Sequence, residues 1–138
     1  MGELFGPDWQ YQPDEEGLFP TNRDRIIAEM LLSPAGSLTK GAILQAPGAY
    51  AHSISPDMLA DVGQKIGHKN LLVIHGSHDR TIPVEHGRRV HQYLGGDAKG
   101  VTLHIVEQAG HLPHIERREE FKEKLTSLFE KATRGATR

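Results

Sequence analysis

The sequence predicts an α/β fold, and three observations carry that prediction. Leu71-Leu72-Val73-Ile74 is an unbroken apolar run between Asn70 and Gly76, the pattern of a strand buried on both faces. Val101-Thr102-Leu103-His104-Ile105-Val106 alternates into a second strand. Helical spacing follows each strand: Val90, Tyr93 and Leu94 within residues 83–94, then Phe121, Leu125, Leu128 and Phe129 within residues 115–132. Strand, helix, strand, helix predicts a parallel pair with a right-handed crossover.

The elements before these are shorter. Residues 1–20 carry Gly2, Gly6, Pro7, Pro13, Gly17 and Pro20 without a hydrophobic period, and read as a loop or extended lead-in. Its aromatics, Trp9, Tyr11 and Phe19, have no partner that the sequence identifies. Thr21-x-x-Asp24 resembles a capping box, and Ile26, Ile27, Met30 and Leu31 then predict a helix over residues 23–32. Ser33-Pro34-Ala35-Gly36-Ser37 ends it, and residues 41–54 fit neither period. Ser55-Pro56 reads as a cap followed by proline at the first helical position. Met58, Leu59, Val62 and Ile66 share a face, and Gly67 stops the helix. The expected organisation is a lead-in and helical segment over 1–69, a strand–helix segment over 70–132 and a frayed tail over 133–138.

Composition narrows the function classes. The chain has 138 residues, enough for one domain or a piece of a larger one. Sixteen Lys and Arg against eighteen Asp and Glu leave a formal charge of −2, without the basic patch that nucleic-acid binding needs. The absence of cysteine excludes a disulfide scaffold, a thiolate metal site and a cysteine nucleophile. No run of 18 apolar residues exists to span a membrane, and the first residues lack a secretory pattern. The expectation is a soluble, cytoplasmic protein without a cofactor or metal.

Chemistry is expected beyond the carboxyl ends of the two strands, where open α/β sheets hold their ligands. Gly76-Ser77-His78-Asp79-Arg80-Thr81-Ile82-Pro83 follows the first strand, and Gln108-Ala109-Gly110-His111-Leu112-Pro113-His114 follows the second. Adjacent parallel strands would bring Asp79 and His111 to one edge. A carboxylate there can orient an imidazole, leaving its other nitrogen to act as general base.

The stretch from Leu71 to Phe121 resembles the C-terminal end of an α/β-hydrolase. Gly76, Asp79, Ile82 and Pro83 match that family's acid loop, and Gly110, His111 and Glu116 match its Gly-His-x-x-x-x-Glu pattern. Residues 21–23 and 51–56 are similar, more weakly, to the cap region and the helix before the acid strand. The resemblance implies a partial α/β-hydrolase fold: the last parallel strand–helix units preceded by a helical cap-like segment. It implies Asp79 as triad acid, His111 as triad base and an ester or related acyl substrate. The family's Gly-x-Ser-x-Gly elbow is absent, and with it the nucleophile and oxyanion hole. Ser37 and Ser77 stand in no such motif, and the Asp nucleophile of an epoxide hydrolase remains an alternative. The expectation is therefore a C-terminal hydrolase segment, inactive alone. The alternative is a catalytically silent hydrolase-like protein acting through a partner or self-association.

Other polar residues carry plainer expectations. His75, His78, His104 and His114 lack the spacing of a zinc site. His91, with Arg88 and Arg89, reads as a solvated helix face, as does the charge alternation from Glu116 to Glu123.

Overall fold

A computed structural model describes residues 4–32 and 53–136. The chain divides into two compact units, residues 10–54 and residues 1–9 with 55–138. The predicted stop at 33–37, the ambiguous segment up to residue 52, and residues 137–138 lie outside the described residues.

In the first unit, helix α1 spans Asn22–Leu32. Its start is the predicted capping box: Asp24 N–H donates to Thr21 Oγ1 at 3.2 Å, and the Thr21 hydroxyl donates to Asp24 Oδ2 at 2.7 Å. Arg25 Nε pairs with the buried Asp14 at 3.0 Å, and Leu18 N–H donates to the same carboxylate. Ile26 and Ile27 are half-buried, while Met30, Leu31 and Leu32 stay exposed.

The second unit is built on strands β1 (Leu72–Gly76) and β2 (Thr102–Val106). They pair in parallel with Leu72 opposite Thr102 and Gly76 opposite Val106. Helix α2 (Pro56–Ile66) precedes β1, and α3 (Val84–Leu94) with the one-turn α4 (Gly96–Lys99) connects the strands. Helices α5 (Pro113–Glu116) and α6 (Arg118–Ala136) follow β2. The mixed α/β character and the parallel pair agree with the sequence expectation. Helix α2 starts as its sequence demands: Ser55 Oγ accepts from Met58 N–H at 3.2 Å, Pro56 takes the first helical position, and Gly67 closes the helix at φ 87°.

Several expectations change. Residues 72–75 are half-buried rather than covered on both faces, and among the described residues β1 pairs only with β2. The apolar core lies at the strand ends and the N-terminus instead: Val101, Val106, Ala109, Leu94, Phe5 and Trp9 are buried. Phe5 and Trp9 stack at 4.9 Å, so part of the unassigned lead-in is core. His91, expected on a solvated face, is buried and donates to the Val101 carbonyl at 3.0 Å. Val90 and Tyr93 of the same helix are more exposed, so the burying face is rotated toward Gly87, His91 and Leu94. The predicted helix over 115–132 is two helices, broken at Arg117 (φ −136°). The break turns Glu116 inward, and this residue, expected in solvent, is 3% exposed. Helix α6 runs through Ala136, into the segment expected to fray.

Gly63 sets the spacing between α2 and α3, because a Cβ there would overlap the Leu94 carbonyl and lie 3.2 Å from the His68 ring. Helix propensity alone favours Ala over Gly by about 1 kcal/mol. We expect the contact to win: Gly63→Ala should lower the urea midpoint of unfolding, and a raised midpoint would show that the α2–α3 contact gives way at little cost.

Candidate functional site

The site is assembled by joining the loops that follow β1 and β2. Ser77 N–H donates to the Val106 carbonyl at 3.0 Å, and His78 N–H to the Ala109 carbonyl at 2.9 Å. The Ser77 hydroxyl oxygen accepts from Gln108 N–H at 3.0 Å. Gly76 permits the approach, since a Cβ there would overlap the carbonyls of Ala109 and Gly110. Gln108 turns the second loop with a left-handed φ of 61°.

Asp79 sits on the first loop with its side chain 3% exposed. Its Oδ1 accepts from the backbone N–H groups of Thr81 at 2.8 Å and Ile82 at 2.9 Å, the local pattern that makes Asp a turn residue. Its Oδ2 lies 2.8 Å from His111 Nδ1. Burial raises the Asp79 pKa, but the Ile82 N–H, the His111 ring and the Thr81 N–H together bring it below the ordinary 3.8. The carboxylate is therefore ionised and can only accept, so His111 donates from Nδ1. In the neutral ring that leaves the Nε2 lone pair free, and no described side chain hydrogen-bonds it. The His111 side chain is 31% exposed, so this nitrogen belongs to a partly open imidazole.

The second loop is held from its far side. His111 N–H donates to the Leu4 carbonyl at 2.7 Å. Glu116 receives Gly110 N–H on Oε1 at 2.9 Å and Gly6 N–H on Oε2 at 2.6 Å. Gly6 and Gly110 are both required, as a Cβ on Gly6 would overlap the Gln108 carbonyl and one on Gly110 would lie 2.6 Å from Phe5 Cα. Burial pushes the Glu116 pKa above its ordinary 4.5, even though the N–H groups of Gly6, Gly110 and Leu112 and the charge of Arg117 pull it down.

Of the residues singled out by sequence, Asp79, His111 and Glu116 meet at this edge. Ser77 is engaged in joining the loops and also lies 3.0 Å from His78 Nδ1, so its hydroxyl is not presented to His111. Ser37 lies outside the described residues. His104 pairs with Glu120 at 2.7 Å, and His114 rests near the Phe121 ring. Among the described residues no three His, Asp or Glu side chains converge as metal ligands, and no helix is long and apolar enough to cross a membrane. Sequence reasoning missed two contributors. Leu4–Gly6 lacked any periodic signal, and His75 was weighed only as a metal ligand without the spacing of a zinc site. His75 Nε2 lies 2.8 Å from the Ile82 carbonyl and 3.2 Å from Asp79 Oδ2. No family model, curated protein or solved structure matches the chain.

The pKa directions set opposite acid responses. Asp79, depressed in the fold, stabilises the protein above pH 3.8, and that contribution is lost as pH falls through its folded value. Glu116, raised in the fold, contributes most below pH 4.5, and its share is lost as pH rises through its folded value. Urea unfolding of Asp79→Asn from about pH 6 downward should show the wild-type advantage shrinking as pH drops below 3.8. A constant difference would mean that the carboxylate charge is not what holds the loop.

Glu116→Gln keeps the shape but replaces one of two accepting oxygens with a donor, leaving a buried N–H unpaired. The expected cost is about 1–3 kcal/mol, read from urea unfolding at neutral pH. Hydrogen exchange should rise first at Gly6 or Gly110. Unchanged stability and protection would remove Glu116 as the clamp on the second loop.

Proposed function

We propose that Asp79 and His111 are the acid and the base of an α/β-hydrolase-type site that acts on an ester or related acyl substrate. The observation supporting this reading is the 2.8 Å contact between Asp79 Oδ2 and His111 Nδ1, made from the loops after two adjacent parallel strands. A carboxylate on Nδ1 sets the tautomer and stabilises the imidazolium formed when Nε2 accepts a proton. In the reaction, Nε2 takes the proton of a nucleophilic hydroxyl as its oxygen attacks the acyl carbon. The tetrahedral oxyanion collapses to an acyl-enzyme, and the leaving oxygen receives the proton back from His111. Water, deprotonated by the same nitrogen, then attacks the acyl carbon; the bond to the nucleophile's oxygen breaks, that oxygen takes the proton back from His111, and the acid leaves. The reading expects the nucleophile and oxyanion donors from a segment beyond the described residues or from a second chain, on a strand-to-helix elbow of the Gly-x-Ser-x-Gly kind.

A second reading, a catalytically silent hydrolase-like protein that acts by association, is favoured by one observation. Met58, Val62 and Ile66 lie four residues apart along α2 and are all exposed among the described residues. One experiment separates the two. The 138-residue chain and a version extended by its in-frame upstream coding sequence are assayed with p-nitrophenyl acetate. The chain alone should stay at background, and the extended protein should turn over. Asp79→Asn should then cost about 10⁴-fold in kcat. Turnover that survives His111→Ala would overturn the hydrolase reading. An extension without a nucleophile, with a sedimentation mass that rises with concentration, would support the silent one.

A further inference from the structure

We propose that the second unit carries an anion site at the amino end of its sheet: a cavity ringed by Lys69, Lys99 and Lys131 that takes the phosphate groups of a small molecule. The site is separate from the Asp79–His111 pair, which lies beyond the opposite ends of the same strands. Strand β1 has five residues, which at a rise of about 3.3 Å each set the two places about 16 Å apart.

The cavity has a volume of about 600 Å³. Three elements bring one lysine each to it. Lys69 belongs to the 3-10 turn His68–Asn70 before β1, and Lys99 closes α4 just before β2. Lys131 comes from α6, which packs back against residues 68–70. No Asp or Glu lines the space. Every other described lysine has a carboxylate partner: Lys65 pairs with Asp61 at 2.6 Å, Lys124 with Glu123 at 3.7 Å and Lys122 with Glu119 at 4.0 Å. Lys69, Lys99 and Lys131 make no such pair among the described residues. The charges left without a counter-charge are thus the ones that face the cavity.

The backbone makes room for this gathering. Gly95 and Gly100 flank α4, both at positive φ, 128° and 93°. A Cβ on Gly95 would lie 2.6 Å from His68 Cδ2 and 2.9 Å from Lys99 Cβ. One on Gly100 would lie 3.1 Å from Lys69 Cγ and 3.9 Å from its Cε. The stem of Lys69 therefore runs over Gly100 beside Lys99, while the ammonium groups stay in water. Like charges gathered around one open space repel, and an anion seated there relieves the repulsion. An ammonium is a compact charge with three rotatable donors, suited to the oxygens of a phosphate approached from several sides. The volume lies within the range of small-molecule sites and exceeds what one phosphate fills.

The test titrates the full chain with pyrophosphate and with adenosine diphosphate, at constant ionic strength and without divalent metal, and follows the proton–nitrogen correlation spectrum. Amide shifts should saturate at residues 67–70, 96–100 and 128–132. Lys69→Gln, Lys99→Gln and Lys131→Gln should each weaken binding about tenfold. All three lysines are exposed and without a carboxylate partner, so the spectra elsewhere should stay unchanged. Lys65→Gln removes the same charge from α2, outside the cavity, and should leave the affinity as it is. Tighter binding of the diphosphate nucleoside than of pyrophosphate would assign the site to an organic phosphate, and equal binding to the free anion. Shifts that do not saturate by about 10 mM would overturn the proposal. So would an equal loss in Lys65→Gln, or citrate binding as tightly as pyrophosphate. A single-stranded oligonucleotide that shifts these amides where both small probes fail would overturn it in favour of a nucleic-acid surface.

Discussion

The close approach of two loops beyond the carboxyl ends of β1 and β2 is the constraint on which the rest of the site depends. Gly76 has no room for a side chain because the carbonyls of Ala109 and Gly110 occupy it. That contact, closed by the Ser77 and His78 backbone bonds, sets Asp79 and His111 within 2.8 Å across 32 residues of sequence. A parallel pair in register makes the approach possible, since both strands end at the same level, Gly76 opposite Val106. Had the strands been antiparallel, the loops after them would lie at opposite ends.

Two buried carboxylates hold this edge, and they are tuned in opposite directions by the same kinds of force. Asp79 and Glu116 each accept two backbone N–H groups. For Asp79 the Ile82 N–H, the His111 ring and the Thr81 N–H together outweigh desolvation. For Glu116 desolvation prevails over its bonds and the charge of Arg117. One carboxylate is thus kept ionised where an imidazolium would need a counter-charge. The other serves as a structural acceptor that clamps residues 4–6 against the second loop. Both uses match what buried acids require, which is a partner for every lone pair that water no longer solvates.

The histidines of this unit divide along the same lines. His91 donates to a carbonyl inside the packed unit, His104 pairs with Glu120 on a strand face, and His75 joins a strand to the acid loop. Among the described residues His104 and His111 each set one ring nitrogen against a carboxylate, but the partner of His111 is 3% exposed and that of His104 38%. Residue type alone does not distinguish these roles, and neighbours do.

Much of this was legible from sequence where the signal is local. The Thr21–Asp24 box, the Ser55-Pro56 start, the Gly67 stop and the strand–helix alternation depend on bonds between residues a few positions apart, so the order of residues determines them. Asp79 and His111 were legible as a pair because each follows a strand, and parallel pairing supplies the rest. Tertiary structure decided what lies across longer intervals. Glu116 was legible as part of the Gly-His-x-x-x-x-Glu pattern, but its charged neighbours made it read as solvated, and its bonds to Gly6 and Gly110 follow from the break at Arg117. His91 was read as solvated because burial depends on which face of α3 meets β1, and Gly87 made that face narrower than the apolar residues suggested. Leu4–Gly6 carried no period at all, since a short segment that bonds through its backbone leaves no trace in the pattern of its side chains.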